Sequence, residues 1–258
     1  MNALRRHEMI MEALLEQKEV TVNALSDRLG VTGKTIREDL AKLEEQGLLL
    51  RVHGGAMLAQ GDQLGILSAK GALAKHQVEK ASIAELALSY IEPGDIIALD
   101  GGSTTLEIAK RLDNAPITVV TNDLNIIAEL LRKDEIRLVV PGGYRVRNML
   151  AGPEAAAYIR GLNIRKAFIA ATGVHLQYGF TIYTNDLIEY KRAIIESSER
   201  VYGVIDHHKL GQSALRTFAT LGEVDAILTD AGCSPETAAQ FRAAGFDVKV
   251  EQGDAGGQ

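Results

Sequence analysis

The sequence has a single cysteine, Cys233, among 258 residues, so it can form neither an internal disulfide nor a cysteine-based zinc cluster. It also lacks an apolar run near the length that crosses a membrane, and its charged first residues are unlike a signal peptide. We therefore expect a cytoplasmic protein with no membrane partner. The sequence also has no excess of Lys and Arg over Asp and Glu, because its formal net charge is −6. The chain does have 46% hydrophobic residues, which suffices for one large domain and a small one.

The first 56 residues have the pattern of a winged helix-turn-helix. Helix signals over 4–16, 23–29 and 33–46 are separated by short connections, and Gly30 can take the positive φ that ends the second helix. The residues that follow, up to Ala56, suit a short β-hairpin, or wing. In the third helix an apolar stripe faces inward, and it consists of Ile36, Leu40 and Leu43. This order of elements predicts a domain that places its third helix in a DNA major groove.

The candidate DNA-binding residues lie on the outer faces of the helices and in the wing. They are Arg5, Arg6, Thr32, Lys34, Thr35, Arg37, Glu38, Arg51 and His53. Residues 1–56 hold eight Lys and Arg against nine Asp and Glu, so attraction to DNA depends on where the cations lie rather than on their number. A domain this close to neutral predicts a homo-oligomer, a dimer or tetramer whose copies bind together.

A second domain is predicted over 76–252, after a linker over 57–75 and before a tail over 253–258 that we expect to be disordered. In this domain apolar runs alternate with helix signals. The predicted strands are 96–100, 117–121, 136–141, 166–172, 201–206, 226–230 and 246–250. Because these strands are mostly apolar and are separated by helices, the pattern predicts an α/β fold with a doubly wound, mostly parallel sheet.

Polar residues and glycines follow these strands, at the edge where parallel sheets bind their ligands. The segment DGGSTT, residues 100–105, opens a helix, whose free amides and partial positive charge suit an anion. Similar polar ends follow at 121–123, 141–143 and 206–209. Carboxylates suit sugar hydroxyls, whereas Lys209 and the loop hydroxyls suit a phosphate. Together these groups predict a pocket for a phosphorylated sugar.

Both parts of the chain resemble the DeoR family of bacterial transcriptional regulators. The similar segments are VTGKTIREDL (31–40), GLLLRVHGGA (47–56), DGGST (100–104), TNDL (121–124), PGG (141–143) and DHHKLG (206–211). The resemblance implies a repressor of sugar catabolism genes that a phosphorylated sugar releases from operator DNA. It also implies a sensor fold shared with ribose-5-phosphate isomerase, and we expect no cofactor. The candidate effector contacts, with Thr105 and Asp186 added from adjoining positions, are Lys80, Asp100, Gly102, Ser103, Thr104, Thr105, Thr121, Asn122, Gly142, Gly143, Asp186, Lys191, Asp206 and Lys209.

Three residues depart from the family pattern. Glu38 replaces an arginine, which should weaken phosphate attraction or shift the base preference, since glutamate can accept from cytosine N4. His208 replaces a serine, and Leu187 stands where an acid is expected four residues before Lys191. We predict no metal at the pair formed by His207 and His208, because adjacent side chains diverge and no partner cluster is evident in the sequence.

One other class of protein stays open. A sugar-phosphate isomerase could use Asp186, Glu189 or Lys191 as its acid or base. An isomerase, however, has no evident use for residues 1–56. We therefore favour a regulator and predict no enzymatic activity.

Overall fold

The computed structural model describes residues 3–17, 19–45, 48–52, 54–58, 76–183 and 185–251. The predicted wing residue His53, most of the linker, and the tail over 253–258 lie outside the described residues. Among the described residues, no helix is long and apolar enough to cross a membrane.

The first unit contains three helices and a small antiparallel sheet. Its elements are α1 (Ala3–Gln17), β1 (Glu19–Thr21), α2 (Val22–Leu29), α3 (Gly33–Glu45), β2 (Leu49–Val52) and β3 (Gly55–Leu58). The strand order is β1-β3-β2, so the predicted hairpin is confirmed and gains β1, which the sequence pattern did not indicate. The predicted inward stripe of α3 is confirmed, since Ile36, Leu40 and Leu43 are buried.

Local hydrogen bonds explain where α2 and α3 begin and end. The Thr21 hydroxyl accepts from the Ala24 amide at 3.2 Å and caps α2, which Gly30 ends in the left-handed region at φ 63°. The Thr32 hydroxyl accepts from the Thr35 amide at 3.3 Å at the start of α3. The tight turn between the two helices therefore follows from Gly30, which ends α2, and Thr32, which caps α3.

The second unit is built on a seven-stranded parallel sheet. Its strands are β4 (Ile96–Leu99), β5 (Thr118–Val120), β6 (Arg137–Val139), β9 (Ile164–Ile169), β12 (Ser198–Val204), β14 (Ala226–Thr229) and β15 (Val248–Val250). They lie in the order β15-β14-β12-β9-β4-β5-β6, and every registered pair is parallel. Each of the seven predicted strands corresponds to one of these, which confirms the predicted α/β fold class.

Six helices of the second unit cover the two faces of this sheet. They are α4 (Gln77–Leu88), α5 (Ser103–Arg111), α6 (Leu124–Leu130), α7 (Pro153–Arg160), α8 (Ile188–Glu196) and α9 (Pro235–Ala243). Side chains alternate along each strand, so Phe168 packs with α4, α5 and α6, whereas the adjacent Ala167 and Ile169 pack with α7, α8 and α9. Two apolar cores, one on each face, result from this alternation.

Two smaller antiparallel elements lie outside the main sheet. One is a hairpin of β7 (Tyr144–Val146) and β8 (Met149–Ala151). The other is a sheet of β10 (Gly173–His175), β11 (Gly179–Ile182) and β13 (Arg216–Ala219), in the order β10-β11-β13. The sequence pattern predicted neither of them.

The first unit contacts the second through α1 and the segment that follows β11. Tyr183 is buried in the core of the first unit, and Leu215 packs against the same core. Glu8 of α1 accepts a hydrogen bond from the Asn185 side chain at 2.8 Å, and it lies 3.4 Å from the Arg216 guanidinium. The first unit therefore rests on the short stretch of chain that leads into α8.

Candidate functional site

Buried polar side chains collect at the carboxyl edge of the parallel sheet. They follow β4, β5, β12 and β14, and they are Asp100, Thr121, Asn122, Asp206, Thr229 and Asp230. Within the described residues, six polar atoms here have no hydrogen-bond partner: Asp100 Oδ1, Asn122 Oδ1, both carboxylate oxygens of Asp206, the hydroxyl of Thr229 and the hydroxyl of Tyr190 on α8. Buried polar atoms are normally paired, so these atoms mark a place where a polar ligand fits.

Asp100 and Lys191 form a buried ion pair at the centre of this edge. The Lys191 ammonium, 2% exposed, donates to Asp100 Oδ2 and, at 2.8 Å, to the carbonyl of Ala170. Asp100 Oδ2 also accepts from the Ala170 amide at 3.0 Å. The pair therefore holds the end of β4, the end of β9 and α8 in one arrangement, while Asp100 Oδ1 stays available.

The loop after β4 is shaped by two glycines. A Cβ on Gly102 would lie 2.9 Å from the Ala170 Cβ, and a Cβ on Gly101 would lie 2.2 Å from the end of the Met149 side chain. Glycine at both positions lets the chain pass close to its neighbours and enter α5 at Ser103. The first amides of a helix have no partner within it, so the start of α5 has donors that could face an anion.

The β7–β8 hairpin lies beside this loop, and Asn122, which follows β5, holds the hairpin by two hydrogen bonds. The Asn122 side-chain amide donates to the Leu150 carbonyl at 2.7 Å, and its backbone carbonyl accepts from the Leu150 amide at 2.9 Å. Gly142 and Gly143 have φ of 79° and 113°, and a Cβ on Gly143 would lie 2.3 Å from the Ala151 carbonyl oxygen. These two predicted effector contacts therefore shape the turn into the hairpin.

Lysines surround Asp206 at the other end of the pocket. Lys209 lies in the short 3₁₀ turn His207–Lys209, and its ammonium is 3.2 Å from Asp206 Oδ2. Lys80, on α4, is buried. Burial opposes ionisation of Asp206, but the charges of Lys209, His76 and Lys80 hold its pKa below the ordinary value. The predicted lysines and this carboxylate are thus brought together.

Two predicted acids remain apart from Lys191. Asp186 is exposed in the turn before α8. The Glu189 side chain is 60% exposed and lies 3.5 Å from the Arg160 guanidinium. Across the described residues, neither acid is paired with Lys191, whose partners are Asp100 and Ala170.

Sequence reasoning missed Tyr190 at this edge, and it recognised Asp123 and Asp230 only as strand-end residues. Tyr190 lies beside Lys191 in the chain, but nothing in the sequence indicated a buried hydroxyl. The Asp230 carboxylate binds the His207 ring at 2.6 Å and the His207 amide at 2.9 Å. Asp123 was recognised as a strand-end residue but not as a site residue, and it caps α6 by accepting from the Asn125 and Ile126 amides.

Burial raises the pKa of Asp123 to about 6, helped by the charge of Asp100 and opposed by the two amides. A carboxyl with a raised pKa binds its proton more tightly in the folded state, so its contribution to stability grows as the pH falls toward the unfolded pKa. We predict that the free energy of unfolding of the wild type, minus that of Asp123→Asn, rises by about 1 kcal/mol between pH 7 and pH 5. Urea unfolding at the two pH values measures this difference.

Asparagine caps helices about as well as aspartate, so the variant isolates the titration. Asp134→Asn, at an exposed position, controls for the loss of a carboxylate. A difference for Asp123→Asn that is the same at both pH values would contradict the prediction.

The candidate DNA-binding side chains of α3 face outward. Lys34, Arg37 and Glu38 are exposed, whereas Thr35 is half-buried and is engaged with Thr32 at the helix start. Arg51, in the wing, is exposed and lies 3.9 Å from Glu44. Most of the predicted surface is therefore present on one helix and the adjoining wing.

The exposure predicted for Arg6 is wrong. Its side chain is 14% exposed and donates two hydrogen bonds to the Asp39 carboxylate, from Nε at 2.7 Å and from a terminal nitrogen at 3.1 Å. His7 Nε2 also lies 3.0 Å from this carboxylate. Although burial opposes it, the hydrogen bond and charge of Arg6 lower the pKa of Asp39. Arg6 thus ties α1 to α3, while Arg5 stays exposed and pairs with Glu8 at 3.1 Å.

Comparison with known proteins matches both units. The DeoR-like helix-turn-helix domain matches residues 6–61, and the DeoR C-terminal sensor domain matches residues 75–231. The regulator YgbI of Escherichia coli K12 is 37% identical over 92% of this chain and 93% of its own. The transcriptional repressor GlcR of Bacillus subtilis is 33% identical over 86% of each chain. Ribose 5-phosphate isomerase A of Methanocaldococcus jannaschii is 15% identical with a TM-score of 0.39, covering 51% of this chain and 53% of its own, a similarity that indicates no function.

Proposed function

This chain belongs to the DeoR family of transcriptional regulators, and from that membership we propose that it is a repressor released from operator DNA by a phosphorylated sugar. The wing and α3 bind the operator, and the carboxyl edge of the parallel sheet binds the effector. The observation that carries the proposal is the set of unpaired buried polar atoms beside a glycine-rich helix start and two lysines.

The chemistry of that edge matches both the sugar and the phosphate of a sugar phosphate. The oxygens of Asp100, Asn122 and Asp206 can accept from sugar hydroxyls, because each has an atom without a hydrogen-bond partner in the described residues. The amides at the start of α5 and the ammonium of Lys209 supply donors and positive charge for a phosphate. An unphosphorylated sugar would leave these donors without their anion, so we expect the phosphate to be required.

The contact between the two units offers a route from effector to DNA. The residues that touch the first unit, Tyr183 and Asn185, immediately precede α8, which carries Lys191. An effector that binds Asp100 changes the position of its partner Lys191. Because Lys191 lies on α8, the position of this helix changes as well. A shift of α8 moves the surface on which α1 rests. A hundredfold loss of operator affinity requires about 2.7 kcal/mol of coupling between the two sites.

Affinity for DNA depends on several copies in this proposal. One winged helix presents Lys34, Arg37 and Arg51 beside Glu38, and its total charge is close to neutral. Two or more linked copies gain affinity because the second binding event is intramolecular. We therefore propose a homo-oligomer, whose paired winged helices the effector misaligns.

The test is operator release by phosphorylated sugars. A duplex selected by the full-length protein from a random pool is labelled, and binding is followed by fluorescence anisotropy at fixed salt. We expect at least one pentose or hexose phosphate to weaken binding tenfold or more, while the parent sugar does not. Operator affinity that no sugar phosphate changes would overturn the proposal.

Lys209→Ala should weaken effector binding about tenfold or more, because a hydrogen bond to a charged group contributes about 1.5–3 kcal/mol. Its affinity for the duplex without effector should stay within about twofold of the wild type. Calorimetric titration with the active sugar phosphate measures the first effect, and anisotropy measures the second.

Lys110→Ala is the matched control, since Lys110 also pairs with an acid three residues away, Glu107 at 2.7 Å, but lies in the last turn of α5. It should behave as the wild type in both measurements. Loss of DNA binding in a folded Lys209→Ala protein would contradict the separation of the two sites.

A further inference from the structure

Two histidines and a glutamate meet at the surface beside the candidate effector pocket. His76 immediately precedes α4, Glu79 lies in its first turn, and His208 comes from the 3₁₀ turn after β12. His76 Nδ1 is 3.5 Å from Glu79 Oε1, and His208 Nε2 is 3.9 Å from the same oxygen. The three nearest ligand atoms all lie within 4.8 Å of one another.

We propose that His76, Glu79 and His208 bind a divalent transition-metal ion, with Zn²⁺ as the probe. Zinc binds imidazole nitrogen and carboxylate oxygen at about 2.0–2.2 Å, so the ligand atoms of a tetrahedral site lie about 3.3 Å apart. To reach that spacing, the His76–Glu79 distance needs to shorten by about 0.2 Å, the His208–Glu79 distance by about 0.6 Å, and the distance between the two histidine nitrogens by up to about 1.5 Å. Imidazole suits zinc, copper, iron and nickel, which distinguishes this set from the all-oxygen sites of magnesium and calcium.

The backbone on both sides holds the ligands in place. His76 is in the left-handed region at φ 52°, a conformation that costs energy for a residue with a Cβ and that places its ring beside His208, 4.2 Å between centroids. On the other side, His207 is fixed to Asp230 and its ring lies 3.8 Å from the His208 ring. The turn that carries His208 is therefore fixed by its neighbour.

The group is open enough for an ion to enter. The side chains are 30%, 26% and 48% exposed for His76, Glu79 and His208. Three protein ligands leave at least one position of a tetrahedral ion for water. A bound ion would fasten the start of α4, which carries Lys80, to the turn after β12, which Asp206 immediately precedes. It would thus stiffen one wall of the pocket without occupying the candidate effector contacts.

Sequence reasoning rejected a metal here for a reason that does not hold in the structure. The adjacent histidines do not diverge, since their ring centroids lie 3.8 Å apart, but they have different acid partners: His207 binds Asp230, whereas His208 lies near Glu79. The missing partners come from another element, because folding brings the start of α4 against the turn after β12.

The experiment is metal titration of full-length protein that has been stripped with chelator, in the absence of sugar and DNA. We expect calorimetry to show one Zn²⁺ per chain in the wild type, and Co²⁺ to give the visible absorption of a four-coordinate site. His208→Ser and Glu79→Gln should each weaken Zn²⁺ binding tenfold or more. His76→Asn should do the same, because asparagine tolerates the left-handed backbone but removes the ring.

His175→Asn is the matched control, because His175 is a half-buried histidine that stacks on Tyr178 in the other sheet. It should bind Zn²⁺ as the wild type does. Zinc should also raise the melting temperature of the wild type and of this control, but not of His208→Ser. Binding of Zn²⁺ to His208→Ser with unchanged stoichiometry and affinity, or no stoichiometric binding to the wild type, would overturn the proposal.

Discussion

Replacing Lys191 by methionine is expected to lower the free energy of unfolding by about 3–5 kcal/mol, because it leaves the buried carboxylate of Asp100 without its cation. Both side chains are 2% exposed or less, so water cannot replace the lost partner. The substitution also removes the donor to the Ala170 carbonyl. Urea unfolding at pH 7, followed by circular dichroism, measures the loss.

The double variant Asp100→Asn with Lys191→Met separates the charge effect from the lost packing. Removing both charges should restore much of the stability, since replacing a whole buried pair is often near neutral. Lys110→Met, at the exposed end of α5, should change stability by less than about 0.5 kcal/mol. If Lys191→Met does not fold, the double variant should fold and show the circular dichroism spectrum of the wild type. A loss below about 1 kcal/mol in Lys191→Met would show that the pair does not hold this edge.

The parallel sheet was predictable because of how parallel strands are buried. A strand covered on both faces is apolar along its length, and runs such as those ending at Leu99, Val120 and Thr229 show this pattern without the alternation of a half-exposed strand. Polar residues directly after such strands must meet at one edge. The positions of Asp100, Thr121 and Asp206 therefore followed from the sequence.

The second antiparallel sheet and the ion pairs of Arg6 and Lys191 could not be predicted, because they depend on contacts between residues distant in the sequence. The short strand β11 pairs with β13 across residues 183–215, and its hairpin with β10 has strands of only three and four residues, too short to show a clear periodicity. Arg6 has the sequence context of an exposed arginine, and only the packing of α1 on α3 supplies Asp39. Lys191 was identified as a pocket residue, but its ion pair with Asp100 exists only because α8 crosses the sheet edge.

Arg37→Ala is expected to weaken operator binding by about 1–3 kcal/mol per contact, a five- to 150-fold loss for one copy. Arg37 is exposed on the outer face of α3, whose opposite face is fixed in the core by Ile36 and Leu40. The substitution should therefore leave the fold intact and remove one donor from the DNA surface. Anisotropy with the selected duplex, at several salt concentrations, measures the loss.

The dependence of binding on salt concentration and on the DNA sequence together assign the role of Arg37. If it contacts a phosphate, Arg37→Ala should weaken binding to all duplexes alike and reduce the salt slope by about one. If it contacts a base, binding should lose its preference at one position while the slope changes little. Arg200→Ala removes an exposed arginine paired with Asp225 in the second unit, and it should alter neither quantity. Equal operator affinity in Arg37→Ala and wild type would remove Arg37 from the interface and leave Arg5, Lys34 and Arg51 as its candidate cations.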